Sequence, residues 1–298
     1  RTDQGKRLFG MIAAGGTAGT MLGSSITLAL STTIGLMNLL LVAAILLEAA
    51  VFCALRLERV SAIFRQDSAA RVVDQAAAGP ATDGGILAGF GLLLSSRYLA
   101  GIGLWVALLS LAGTFLYFIQ RDVVAAASTD PAVRTQIFAA MDLIANILTL
   151  FLQAFVTGKL IEKMGTGKSA AILPLIFVIG FAVLAVSPVL AVIIGFQALQ
   201  RTANFAFSNP AREIFFTSVG REEKYKAKNV IDTVLFRGGD VGWAWAFTGL
   251  RGLGVSMSGI ALAVVPVAVV WAGLSLWLGR EQERRSPPAK TLDRDKVI

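Results

Sequence analysis

Apolar residues run in eight long stretches, at about 10–30, 36–57, 98–119, 134–157, 169–187, 189–208, 229–250 and 256–279. Roughly 20 apolar residues carry a helix across a bilayer, and the stretches have that length. No alternation of barrel-strand length accompanies them, so the pattern predicts an all-α integral membrane bundle with eight spans. Several spans carry one narrow polar stripe. A helix turns about 100° per residue, so positions i, i+4, i+7 and i+11 share a face. The fourth span places Asp142, Asn146, Thr149 and Gln153 on such a line, with Thr135 one repeat earlier. The sixth places Gln197, Arg201, Asn204 and Ser208 likewise. The seventh has Asn229, Thr233 and Asp240 on one face with Arg237 beside them, and the third ends in Gln120, Arg121 and Asp122. By contrast the fifth span has no charge between Ala170 and Pro188, and the eighth none between Val255 and Gly279.

An ionisable group in hydrocarbon is costly unless it meets a cavity or a partner. Arg201, Asp142 and Arg237 are therefore expected in a cavity or in ion pairs. The amides and hydroxyls of the stripes fit a shared aqueous path, or hydrogen bonds between helices. Glu48 stands alone in the second span, with no polar neighbour on its face. Gly15, Gly19 and Gly23 repeat every four residues in the first span, a spacing that suits close helix packing.

Composition agrees with the spans: 55% of residues are hydrophobic and 15% charged, against about 25% charged in soluble domains. The net charge of +8 is explained by placement rather than by a nucleic acid partner. If residues 1–9 face the cytoplasm and each span reverses direction, 22 of the 27 Lys and Arg residues fall inside. Only Arg121, Arg134 and Arg251 fall outside, while Arg201 and Arg237 lie within spans. That asymmetry is the positive-inside pattern and puts both ends in the cytoplasm, the bacterial inner membrane being the expected setting. The single Cys53 and the absence of His leave no thiolate cluster and no imidazole shuttle. No nucleophile–base pair or metal set is present, so neither an enzyme nor a cofactor is expected. The expected organisation is two spans at 1–57, a cytoplasmic loop at 58–97, six spans at 98–279 and a cytoplasmic tail at 280–298. Gly79-Pro80-Ala81-Thr82-Asp83-Gly84-Gly85 marks a break within the loop.

The segment Gly158-Lys159-Leu160-Ile161-Glu162-Lys163-Met164-Gly165-Thr166-Gly167-Lys168 resembles the loop signature of the major facilitator superfamily, with Glu162 where an Asp is commoner. That resemblance implies a gating role for Gly158, Glu162, Lys163, Gly165 and Lys168. It also implies a twelve-helix, two-bundle carrier, of which this chain holds helices 5–12 and the missing N-terminal helices are the partner. Helices seven, eight, ten and eleven line the cavity in that superfamily while nine and twelve face lipid, which matches the striped and bare spans here. Gly165-Thr166-Gly167-Lys168-Ser169 is not a phosphate loop, since Glu162 occupies the first glycine position.

The run Asn209-Pro210-Ala211-Arg212-Glu213, continuing through Lys224-Tyr225-Lys226-Ala227-Lys228 to Ile231-Asp232, resembles the nucleotide (ATP/ADP) translocases of plastids and intracellular bacteria. Lys6-Arg7-Leu8-Phe9-Gly10 before a small-residue span is similar to the same family. The resemblance implies carriage of a nucleotide or related phosphorylated anion. Arg212, Glu213, Lys224, Lys226, Lys228 and Asp232 would act at the inner mouth, with Arg201 and Arg237 as phosphate partners. Gln120, Arg121, Asp142, Asn146, Gln153 and Asn204 complete the expected substrate-binding set. The lysines are expected on a short loop before the seventh span, where helix N-terminal amides also favour anions. Gln4 and Gln120 stand where the family carries glutamates tied to exchange, which puts strict ATP/ADP counter-exchange in doubt. A facilitator carrier of another solute, such as a peptide or drug, and a non-transporting sensor or scaffold are the alternatives.

Overall fold

A computed structural model describes residues 2–72 and 86–285. The Gly79–Gly85 break and residues 286–298 of the tail lie outside the described residues. The described chain is helical throughout, with no strand among the described residues. Among the described residues, five helices are long and apolar enough to cross a membrane: Gly35–Glu58, Arg97–Ala127, Pro131–Gln153, Thr166–Val186 and Met257–Arg285. These make the protein an integral membrane helical bundle.

Helix α1 (Thr2–Leu30) and α2 (Gly35–Val72) come first. Within the expected 58–97 loop a separate helix forms, α3 (Ile86–Ser95), which packs on the basic helix described below. Then come α4 (Arg97–Ala127) and α5 (Pro131–Phe155). Ser96 caps α4 through the Leu99 amide, and Asp130 caps α5 through the Ala132 amide, with Pro131 entering its first turn. Both caps satisfy amides that a helix start leaves unpaired.

The expected gating loop is largely a helix, α6 (Thr157–Met164). Its side chains alternate polar and apolar at helical spacing, and Gly165 ends it with φ +80°, a conformation that suits glycine. Helix α7 (Thr166–Val186) follows directly. The next path is helical from Leu190 to Phe215 but not uniform: α8 (Leu190–Ala203) opens into a π segment at Asn204–Ser208 before α9 (Asn209–Phe215). The following path repeats this: α10 (Arg221–Val230), a π segment at Ile231–Gly238, then α11 (Gly239–Gly252). Helix α12 (Met257–Arg285) closes the bundle.

The core sits among α4, α7, α8 and α12. Trp105, Phe177, Phe181 and Trp271 are fully buried there, with Phe196 nearly so. Trp105 and Trp271 meet edge to face at 5.8 Å, and Phe196 meets Phe177 and Phe181 the same way at 5.5 and 5.4 Å. Trp105 Nε1 donates to Ser275 Oγ at 2.8 Å, which satisfies the polar end of a fully buried ring. Tyr98 OH donates to the Phe215 carbonyl at 2.8 Å, and Arg285 lies 4.6 Å over the Tyr98 ring. These contacts gather the start of α4 and the ends of α9 and α12 at one end of the bundle.

Helices α7 and α12 do show apolar side chains outward, at Ile179, Val186, Leu262 and Val270. They also pack closely on each other, so they are structural partners as well as apolar walls. Helix α1 packs on α5, where Gln136 Nε2 donates to the Leu28 carbonyl at 3.2 Å. Gly15, Gly19 and Gly23 have nothing within 4 Å of an added Cβ, so the expected close-packing face meets no helix among the described residues. Helix α2 is mostly exposed from Met37 to Leu57, and Glu48 is exposed with it.

Candidate functional site

The polar groups gather in three places. The first is a cavity of about 420 Å³ between α4, the α8 path and the α10–α11 path. Its polar lining is Ser110, Thr114, Tyr117, Gln200, Asn204 and Asp240. Both π segments border it, through Asn204 on one and Phe236 on the other. Such wide turns leave main-chain groups less regularly paired and recur at functional sites. Asp240 is held by α4: Ser110 Oγ donates to its Oδ1 at 2.6 Å and Thr114 Oγ1 at 3.3 Å. Asp240 is the only charged residue among the described residues of the lining.

Of the expected substrate-binding set, Asn204 alone lines this cavity. Its Oδ1 is buried and without a hydrogen-bond partner. Ser110, Thr114 and Tyr117 escaped the sequence reading, although a signal existed. With Arg121 they fall at i, i+4, i+7 and i+11, the same stripe spacing as on the fourth and sixth spans. Hydroxyls in an apolar helix carry a weaker signal than amides and charges, because they can bond to their own helix.

The second place is the contact of α5 with α8, where Arg201 pairs with Asp142 across the two helices. The expectation of an ion pair holds here. Asn146 is half-buried one turn on, and Thr149 is buried. Gln153 reaches the carbonyl of Phe205 in the first π segment, with Nε2 at 3.1 Å. The α5 stripe therefore meets the α8 path rather than the cavity. Gln120 is buried against α5, its Nε2 3.2 Å from Met141 Sδ, and its Oε1 has no partner. A charged glutamate there would lie in an apolar contact with no cation, which is costly.

The third place joins α9 to the α10 path. Arg212 pairs with Asp232 at 3.2 Å, and Lys228 Nζ donates to Glu213 at 2.6 Å. The lysines were expected on a loop; Lys224, Lys226 and Lys228 instead lie on α10. Alternate residues of a helix point 200° apart, so Lys224 and Lys228 share a face and Lys226 lies off it. Lys228 also sits 5.9 Å over the Phe216 ring. Burial works against the Glu213 carboxylate. The Lys228 hydrogen bond and the charges of Lys228, Arg212 and Lys224 outweigh that and hold its carboxyl below the usual 4.5.

The remaining candidates stand apart from these groups. Arg121 lies near the opposite end, paired with Asp122 at 3.2 Å and 5.3 Å over the Phe118 ring. It borders a second cavity, of about 320 Å³, with Phe247 and Arg251. Arg237 is exposed on the second π segment. Gly158, Glu162, Lys163 and Lys168 are exposed at the α6–α7 corner. Gly165 there backs onto Glu283 of α12, whose Oε1 would be 3.3 Å from an added Cβ.

This chain is similar to two chlamydial carriers. It is 24% identical over 222 residues to ADP,ATP carrier protein 2 of Chlamydia pneumoniae, covering 66% of this chain and 41% of the carrier. It is 24% identical over 217 residues to ADP,ATP carrier protein 2 of Chlamydia trachomatis serovar D, covering 64% and 40%. The matched region thus spans about two fifths of each carrier's length. No family model matches the chain, and no solved structure does.

Proposed function

We propose that this protein is a secondary carrier, rather than an enzyme, that moves nucleotides of the ATP/ADP type or a related phosphorylated anion by alternating access. On this reading the chain crosses the bacterial inner membrane eight times with both ends cytoplasmic. The two paths interrupted by π segments count as the sixth and seventh spans. The six spans at 98–279 form one bundle of a major-facilitator-like carrier.

The observation that carries the reading is the basic cluster at the mouth of the two π-bearing paths, together with the similarity to ADP,ATP carriers. Arg212 and Lys228 are brought onto one short junction and held by Asp232 and Glu213, with the charge of Lys224 nearby. A polyphosphate can replace those carboxylates with stronger, multiply charged acceptors. The cavity beyond is large enough for a small organic ligand and offers hydroxyls and amides to a sugar or base. Its one charge is negative, so phosphates are met at the mouth rather than in the cavity.

The test is uptake of labelled ATP and ADP by proteoliposomes holding the complete protein. Saturable uptake competed by unlabelled nucleotide, and weakened about tenfold by Lys228→Ala, is the expected result. Uptake unchanged in Lys228→Ala for every nucleotide tried contradicts the phosphate assignment. Flux of another solute, untouched by ATP, favours a carrier of different specificity, and no flux of any solute favours a sensor or scaffold.

A further inference from the structure

We infer that the cavity between the two π segments reads the base of the nucleotide, and that Asp240 makes it prefer guanine to adenine. The inference rests on the carrier reading above and names the cargo more narrowly.

The cavity has room, at about 420 Å³, and Asp240 lines it. Ser110 and Thr114 both donate to Asp240 Oδ1, at 2.6 and 3.3 Å, so Oδ2 keeps no partner among the described residues. Gln200 and Asn204, from the α8 path, bring two side-chain amides to the same cavity. Tyr117, Phe118 and Phe236 add ring surface on which a flat heterocycle can lie.

Position ties this cavity to the basic mouth. Arg212 and Asp232 pair there across the two paths. Asn204 lies eight residues before Arg212 on one path, and Asp240 eight residues after Asp232 on the other. Eight helical residues rise about 12 Å. An extended nucleotide covers that distance, with its phosphates at the mouth and its base in the cavity. A carboxylate repels phosphate, so the cavity suits the uncharged end of the ligand.

The carboxylate decides between the purines. Side-chain amides serve either one, since each offers a donor and an acceptor. An ionised carboxylate only accepts, and its hydrogen bonds are about twice as strong as neutral ones. Guanine keeps its acceptors, O6 and N7, apart from its donors, N1–H and the 2-amino group. Both donors can reach one carboxylate oxygen, which has two lone pairs. Adenine sets the bare acceptor N1 beside its 6-amino group. Turned to Asp240, it offers one donor group and one repelling lone pair.

Equilibrium binding of GDP, IDP and ADP to the complete protein tests the assignment. GDP should bind about tenfold tighter than ADP, and also than IDP, which lacks only the 2-amino group. 2′-Deoxy-GDP should match GDP. Asp240→Asn keeps an oxygen for Ser110 and Thr114 and turns the free acceptor into a donor. It should melt cooperatively, lose GDP affinity about tenfold and gain ADP affinity, since the new amide can donate to adenine N1. Arg212→Gln should weaken all three ligands alike and keep their order. Equal affinity for GDP, IDP and ADP overturns the inference and leaves the carrier reading intact. So does a uniform loss in Asp240→Asn, which would make the residue structural. A loss confined to the deoxy ligand overturns it by moving the carboxylate to the ribose. Binding of no nucleotide at all removes the carrier reading and the inference with it.

Discussion

Helices α7 and α12 lie antiparallel and touch glycine to glycine: a Cβ on Gly279 would fall 2.2 Å from the Gly167 Cα. Further along, Phe177 and Trp271 continue the contact at 5.6 Å. Both helices stay α-helical from end to end, even past Pro174 and Pro266. The α8–α9 and α10–α11 paths differ at every point. Each opens into a π segment midway, and between them they carry Arg201, Asn204, Arg212, Glu213, Lys228, Asp232 and Asp240. One pair is joined by close backbone approach and apolar burial. The other is joined by ion pairs that a competing ion can exchange. Close packing of the first kind is bistable at best, whereas ion pairs at a junction can open at modest cost. The comparison separates a strut from a working pair, and each difference predicts a different response to mutation.

The largest effect is expected in the strut. Gly279→Val places a side chain where the Gly167 backbone already lies, and should destabilise the protein by about 3 kcal/mol. Gly273→Ala in the same helix, with nothing within 4 Å, should leave the melting temperature unchanged or slightly raised, since alanine favours the helix. Equal behaviour of the two variants would deny that the glycine contact matters.

Next comes Arg201→Ala, which leaves Asp142 without its partner. The two side chains keep 30% and 43% exposure, so the expected loss is about 2 kcal/mol rather than the larger cost of a sealed site. The double variant Arg201→Leu with Asp142→Leu should recover melting temperature but not uptake. Recovery of uptake as well would reduce the pair to a structural link.

The stripes on α5 and α8 were legible because charged and amide residues at helical spacing inside apolar runs have few explanations. A cavity or ion-pair setting for Asp142 and Arg201 follows from the cost of leaving either alone; that the two pair with each other is legible only in the structure, and Arg237, expected likewise, is exposed instead. The cavity was less legible. Its walls include Ser110, Thr114 and Tyr117, residue types that also bond to their own helix or sit at interfaces, so no cost argument singles them out. The π segments were not read from the sequence, although Pro210, just past Asn204–Ser208, lacks the amide that would bond the Ala206 carbonyl, and Gly238-Gly239 weaken the helix at the end of Ile231–Gly238. The helix at Arg221–Val230 was mistaken for a loop because its charge density hid good helix formers, Glu, Lys and Ala, behind low hydropathy.

The smallest effect concerns pH. The Glu213 carboxyl titrates below 4.5 when folded, so its clasp on Lys228 contributes above the unfolded value and is lost as pH falls through the folded one. Because Glu213 keeps half of its exposure, the contribution is small. Glu213→Gln should flatten a slight acid-side fall in melting temperature, measured from about pH 6 to about pH 3, across the carboxylate range. An unaltered fall would place the titration elsewhere.

The most direct measurement is equilibrium binding of ATP to the purified full chain, compared with the double variant Arg212→Gln with Lys228→Gln and with Gly273→Ala. The account predicts saturable binding that Gly273→Ala preserves and the double variant weakens about a hundredfold, two charge-assisted contacts being lost. Equal affinity in all three proteins would contradict the assignment of phosphate recognition to the mouth of the π-bearing pair.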